Sequence, residues 1–140
     1  MKPTDAELIR AAFKARSFAY TPYSHFKVGA ALLAKNGMVY TGCNIENAGY
    51  TPTNCAERTA FFTAIAAGER EFAAIAVVGG KDGVVTDIFP PCGVCRQVMQ
   101  EFCDPDFLIY MGRGDDSYEA VPLAKLLPYG FNAAEYMTDK

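Results

Sequence analysis

At 140 residues, 51% of them apolar and 21% charged, the chain has the size and composition of one globular domain with its own core, so a single domain over residues 1–140 is expected. A net charge of −3, with no Lys/Arg cluster interleaved with aromatics, argues against nucleic acid as a partner. No run approaches the roughly 20 apolar residues that span a bilayer, and Lys2, Asp5, Glu7 and Arg10 interrupt the N-terminal apolar residues, so neither a membrane span nor an export signal is expected and the predicted location is cytoplasmic.

Thr4-Asp5-Ala6-Glu7 fits a capping box, and Leu8, Ile9, Ala12, Phe13, Arg16, Ala19 and Tyr20 recur at helical spacing, predicting a first helix from Asp5 to Ala19 that ends before Thr21-Pro22-Tyr23. Phe26 to Ala34, Asn36-Gly37, then Met38 to Cys43 reads as a β-hairpin. A polar stretch to Asn54 leads into a second helix over Cys55 to Ala67, stopped by Gly68. Phe72 to Val78 has strand length and ends at Gly79-Gly80, after which Asp82-Gly83 opens a loop. A third helix over Gly93 to Phe102 is followed by Pro105, a strand at Phe107 to Met111, a weaker one at Glu119 to Val121, and a leucine- and aromatic-bearing tail from Leu123 to Lys140. This order predicts an α/β layered domain with a mixed sheet, part of it parallel through a strand-helix-strand crossover.

Five cysteines is an odd number, and without an export signal they suit thiols or metal ligands better than disulfides. Three of them stand in Cys55-Ala56-Glu57-Arg58 and Pro91-Cys92-Gly93-Val94-Cys95. Three thiolates are one ligand fewer than a closed structural zinc site requires, which leaves the fourth position for water, as in a catalytic site. Cys55 and Cys92 each open a predicted helix, where free N–H groups favour thiolate. Cys92 and Cys95, three apart in a first turn, can clamp one ion. Glu57 is a carboxylate not needed as a ligand and so available to move protons. Helix periodicity alone does not aim it at the metal, because residues i and i+2 do not share a face. A plain acidic first-turn residue is the other reading. Three thiolates on Zn²⁺ carry a net −1, and Arg58 is the obvious residue to offset it by hydrogen bonding to sulfur. A redox CxxC lacks a thioredoxin-like context, and a structural knot would have to recruit Cys43, Cys103 or His25 singly. Cys43 and Cys103 read as small core residues and His25 as local structure.

The chain resembles the homotetrameric, three-cysteine cytidine deaminases. The resemblance runs through Tyr23-Ser24-His25-Phe26-Lys27-Val28-Gly29-Ala30-Ala31, Gly42-Cys43-Asn44-Ile45-Glu46-Asn47, Cys55-Ala56-Glu57-Arg58-Thr59-Ala60, Pro91-Cys92-Gly93-Val94-Cys95-Arg96-Gln97-Val98 and Leu126-Leu127-Pro128. It implies a three-layer cytidine-deaminase-like fold, with a mixed five-stranded sheet and helices on both faces. It also implies hydrolysis of cytidine or 2'-deoxycytidine to the uridine and ammonia, in pyrimidine salvage.

By the same resemblance, Cys55, Cys92 and Cys95 bind one Zn²⁺ per subunit, and Glu57 takes a proton from the metal-bound water and passes protons to ring nitrogen N3 and the leaving amine. Asn44 and Glu46 match the ribose-binding pair. Two residues apart on an extended segment they project to one side, although polar residues in a loop also cap turns. Phe26 matches the aromatic packed on the nucleoside, with a core-strand role as the competing reading. Phe131 matches the aromatic inserted into a neighbouring subunit's site, and Tyr50, with the backbones of Ala48 and Ala56, lies where the family meets ligand near a subunit boundary. The chain departs from the family pattern at Pro90, commonly serine, and across Phe131-Asn132-Ala133-Ala134-Glu135-Tyr136. Competing expectations are a deaminase of another cytosine compound such as blasticidin S, and a catalytically silent zinc or RNA-editing accessory protein; Asn44-Ile45-Glu46-Asn47 opposes the first, and Glu57 with the acidic charge opposes the second.

Overall fold

Strand β1 (Phe26–Ala34) turns through Asn36-Gly37 into β2 (Val39–Cys43), an antiparallel hairpin in which Leu33 pairs with Val39 and Gly29 with Cys43. Gly37 sits at φ 93°, which its missing Cβ permits at little cost. The structure, a computed structural model, describes residues 2–133 and 137; the rest of the expected tail and of the divergent 131–136 segment lies outside the described residues.

Beyond the hairpin come α2 (Ala56–Ala66), β3 (Phe72–Lys81), α3 (Gly93–Phe102), β4 (Leu108–Gly112), β5 (Tyr118–Pro122) and a short α4 (Leu123–Leu126), with α1 (Asp5–Arg16) preceding all of them. The sheet order is β2-β1-β3-β4-β5. Only β3 and β4, joined through α3, run parallel; the other neighbours are antiparallel.

Alternation along β1 and β3 divides the core between two faces. Ala31, Leu33, Ala74, Ala76 and Val78 meet Leu8, Ile9 and Ala12 of α1 on one side. Val28, Ala30, Leu32, Ile75 and Val77 meet Ala60, Phe61 and Met99 of α2 and α3 on the other. The three layers and the mixed five-stranded sheet are those expected. Both helical layers lie unusually close to the sheet at a glycine. A Cβ on Gly29 would stand 2.0 Å from Ala12 O, and one on Gly42 would stand 2.5 Å from both Ala56 O and Ala60 N. Gly42 therefore lets the first turn of α2 rest on β2.

Two boundaries differ from expectation by more than one residue. The first helix ends at Arg16, not Ala19: the N–H groups of Ser17, Phe18 and Ala19 reach back only three residues, to Lys14, Ala15 and Arg16, so the chain tightens and leaves the helix. Strand β3 continues past Val78 through Gly79 and Gly80 to Lys81, pairing with Val28, Lys27 and Phe26. Those glycines are sites of close approach rather than a break, since a Cβ on Gly80 would stand 1.9 Å from Val84 O. No described helix is long and apolar enough to cross a membrane.

Candidate active site

Cys55 is the N-cap of α2 and Cys92 the N-cap of α3; both are extended, with φ −76°, ψ 155° and φ −69°, ψ 167°. Neither side chain makes a capping hydrogen bond, so both sulfurs are available elsewhere. The two helix starts converge: Cys55 Sγ lies 3.6 Å from Cys92 Sγ, and with buried Cys95 the three sulfurs lie within 4.8 Å of one another. An ion about 2.3 Å from each sulfur in a tetrahedron requires edges of about 3.8 Å. The sulfur triangle therefore fits zinc with small adjustments and leaves one vertex to a non-protein ligand.

Arg58 Nη2 donates to Cys55 Sγ at 3.3 Å. The Cys55 thiol is pulled down to about 5, chiefly by a hydrogen bond from Cys95 and further by Arg58 and Cys92, against the opposing effect of burial. Cys95 moves the other way, well above the ordinary thiol range, through the same bond and its own burial. These contacts favour thiolate over thiol at Cys55.

The extended cap at Cys55 resolves the geometry of Glu57. Because Cys55 is outside the helix, its side chain is not bound to the 3.6-residue repeat, and Glu57, in the first turn, lines the same cavity. Glu57 is 1% exposed, and neither carboxylate oxygen has a hydrogen-bond partner among the described residues. Burial pushes its carboxyl up to about 7; the Cys55 charge adds to this, while Glu57's own backbone N–H, Arg58 and Cys95 hold it back. A buried, unpartnered carboxylate is costly. Its position beside three sulfurs and a cavity of about 140 Å³ is the kind of strain associated with chemistry.

The same cavity is lined by Asn44 and Glu46. Asn44 bridges the start of β1, its Oδ1 accepting from Val28 N at 2.9 Å and its Nδ2 donating to Phe26 O at 2.8 Å. One further N–H and one lone pair of that amide remain beyond these bonds. Glu46 Oε1 accepts from the N–H groups of Tyr23 (3.0 Å) and Ser24 (3.1 Å), and its Oε2 accepts from the Ser24 hydroxyl. The Ser24 hydroxyl, with these N–H groups, holds the Glu46 carboxyl below the ordinary carboxylate range.

The family profile described as the cytidine and deoxycytidylate deaminase zinc-binding region matches residues 2–111. The chain belongs to this deaminase family. A cytidine deaminase of Sporosarcina psychrophila is 52% identical over 126 residues, 90% of each chain. The crystal structure of a cytidine deaminase from Burkholderia pseudomallei superposes with a TM-score of 0.85 at 49% identity, covering 92% of this chain and all of that one. That of the Mycobacterium tuberculosis cytidine deaminase superposes at 0.78 and 37% identity, covering 93% and 99%.

Within this zinc-binding deaminase fold, Phe26, Asn44, Glu46, Cys55, Ala56, Glu57 and Cys92 share one cavity, with Cys95 buried behind and Arg58 on the sulfur. Tyr50 does not line it; exposed, with φ 60°, it borders an adjoining hollow with Tyr23, Ser24 and Glu46. Phe131 is half exposed and outside the cavity of its own chain, its carbonyl accepting from Gln97 Nε2 at 3.0 Å. Val28, Thr53, Asn54 and Phe89 also line the cavity without a role in the sequence reading, and Arg96, beside it, likewise carries none. Arg96 Nε donates to Pro91 O and Nη1 to Leu126 O, both at 2.7 Å, so it ties the approach to Cys92 to the end of α4. Its signal was a cation in the first turn of a helix, where the dipole disfavours it and a specific acceptor is needed. Phe89 packs on Phe26 with ring centroids 5.2 Å apart, a contact that no local pattern announces.

Proposed function

We propose that the chain catalyses the hydrolytic deamination of cytidine and 2'-deoxycytidine to uridine and 2'-deoxyuridine with release of ammonia. The observation that carries this reading is Glu57: a fully buried carboxylate with no hydrogen-bond partner among the described residues, beside three convergent sulfurs, in a cavity also lined by the Asn44 amide and the Glu46 carboxylate. Zinc held by Cys55, Cys92 and Cys95 would supply Lewis-acid activation of water. Glu57, with its carboxyl near neutrality, is suited to accept a proton from that water and return protons to N3 and to the departing amine. It is buried in the first turn of α2, which confines its movement. Arg58 offsets the charge of the thiolate cluster through Cys55. Phe26 supplies an apolar face for the base, and Asn44 and Glu46 are positioned for ribose hydroxyls.

The relatives' names support cytidine as the substrate. Exposed Phe18, Tyr20, Tyr23 and Tyr50 are suited to burial between copies, and we assign the active form to a homotetramer in which Tyr50 and Phe131 meet neighbouring sites. A three-cysteine metal site fits a reducing, cytoplasmic place in pyrimidine salvage. Ammonia release from cytidine, deoxycytidine, free cytosine and blasticidin S tests the assignment. The two nucleosides should turn over and Glu57→Gln should not, whereas inert nucleosides with a fully zinc-loaded protein would overturn it. Native mass measurement tests the tetramer, which a stable, active monomer would contradict.

A further inference from the structure

Phe89 stands three residues before Cys92 on the loop that enters α3, half-buried, with its ring tilted 37° to that of Phe26; both rings line the cavity. Beneath them is Gly79 of β3. A Cβ there would stand 3.1 Å from Phe26 Cε1, from Phe89 Cγ and from Val28 Cγ2. Ordinary carbon contacts are about 3.5–4.0 Å, so the aromatic pair rests directly on the β3 backbone and cannot retreat into the sheet. The loop is also tethered from the side: Asp87 Oδ1 accepts from Ile88 N at 2.7 Å and from Arg113 Nε at 3.2 Å, and Arg113 also pairs with Glu119 of β5.

The chemistry of the proposed reaction orients the base. Its C4 must face the sulfurs and its N3 must face Glu57, which delivers the proton. C5 lies on the other side of C4 from N3. Glu57 follows Cys55 by two residues and Phe89 precedes Cys92 by three, and both line the cavity, which points the C5 edge toward Phe89. We propose that Phe89 is the specificity-determining residue for substituents on C5 of the pyrimidine, with Gly79 setting how far its ring projects into the cavity. This rests on the cytidine deaminase reading.

The test compares kcat/KM for cytidine, 5-fluorocytidine and 5-methylcytidine in the zinc-loaded full-length wild type, Phe89→Ala and Gly79→Ala. Fluorine controls for ring electronics at nearly the size of hydrogen. Wild type should discriminate against the methyl compound. Phe89→Ala should shrink the cytidine to 5-methylcytidine ratio by about tenfold, mainly through KM, and Gly79→Ala should enlarge it, since one methyl group is worth about that much in a tight pocket. If Phe89→Ala does not retain one zinc per chain, Phe89→Leu should still shrink the ratio. A ratio within twofold of wild type in whichever Phe89 variant retains zinc, or wild type that accepts both substrates equally, overturns the assignment while leaving the deaminase reading intact. Loaded wild type inert on cytidine would instead remove the deaminase reading itself.

Discussion

Glu57→Gln should make the protein more stable and nearly inactive at once. In the zinc-free chain, burial raises the carboxyl from 4.5 to about 7, so forming the anion in the folded state is opposed. At 1.36 kcal/mol per pH unit this destabilises the fold by about 3 kcal/mol at pH 8, where Glu57 is ionised both folded and unfolded. At pH 5 the folded form is protonated and the penalty falls below about 1 kcal/mol. The sign follows: a raised carboxyl favours the fold fully below pH 4.5 and loses that advantage as pH rises through about 7. A neutral amide of the same shape removes the charge term. Urea unfolding of chelated, reduced wild type and variant should therefore show a gain of about 2–3 kcal/mol at pH 8, roughly 1–2 M in midpoint, that largely disappears at pH 5. Turnover of the loaded variant should fall by about 10²–10⁴-fold, the usual worth of general acid–base catalysis. Equal stability gains at both pH values, or retained turnover, would refute the reasoning.

Arg58→Gln removes the donor on Cys55 Sγ, and we expect at least about tenfold weaker zinc retention against a competing chelator or a comparable loss of turnover; unchanged values for both would strip Arg58 of its role. Gly42→Ala places a Cβ 2.5 Å from two backbone atoms of α2 and should cost about 1–3 kcal/mol in denaturant unfolding and lower the zinc content, whereas wild-type zinc stoichiometry would mean that α2 can lift without disturbing Cys55. Chelation should lower Tm, and added zinc at about 1,000 times its Kd should restore about 4 kcal/mol; a Tm indifferent to zinc would contradict a site shared by two helix starts. Phe61→Ala, deleting a fully buried ring 5.1 Å from that of Phe72, should cost about 3–5 kcal/mol, read by urea, with little change in zinc affinity.

The residues whose chemistry is local were readable in the chain. Asn36-Gly37 between two largely apolar runs announced the hairpin, and the helix-opening positions of Cys55 and Cys92 announced the convergent sulfurs. What escaped depends on partners distant in sequence. Gly79-Gly80 looks like a strand terminator until the rings and the loop packed against it are known, and Arg96 looks solvated until Leu126 arrives thirty residues later. Glu57 could not be aimed from helical periodicity because the deciding angle is at Cys55, one residue outside the helix. Asn44 combined both readings, since the same amide that lines the cavity also splices the start of β1.

The two helix starts also bear on how the protein comes apart. A serine or aspartate at an N-cap typically contributes about 1 kcal/mol by binding a free N–H, and both α2 and α3 forgo that contribution by placing a sulfur there instead. A cation held by those sulfurs would instead tie the two helix starts to each other. Loss of the ion should therefore loosen the first turns of α2 and α3 together. Amide exchange in those turns would then report metal occupancy from the backbone alone.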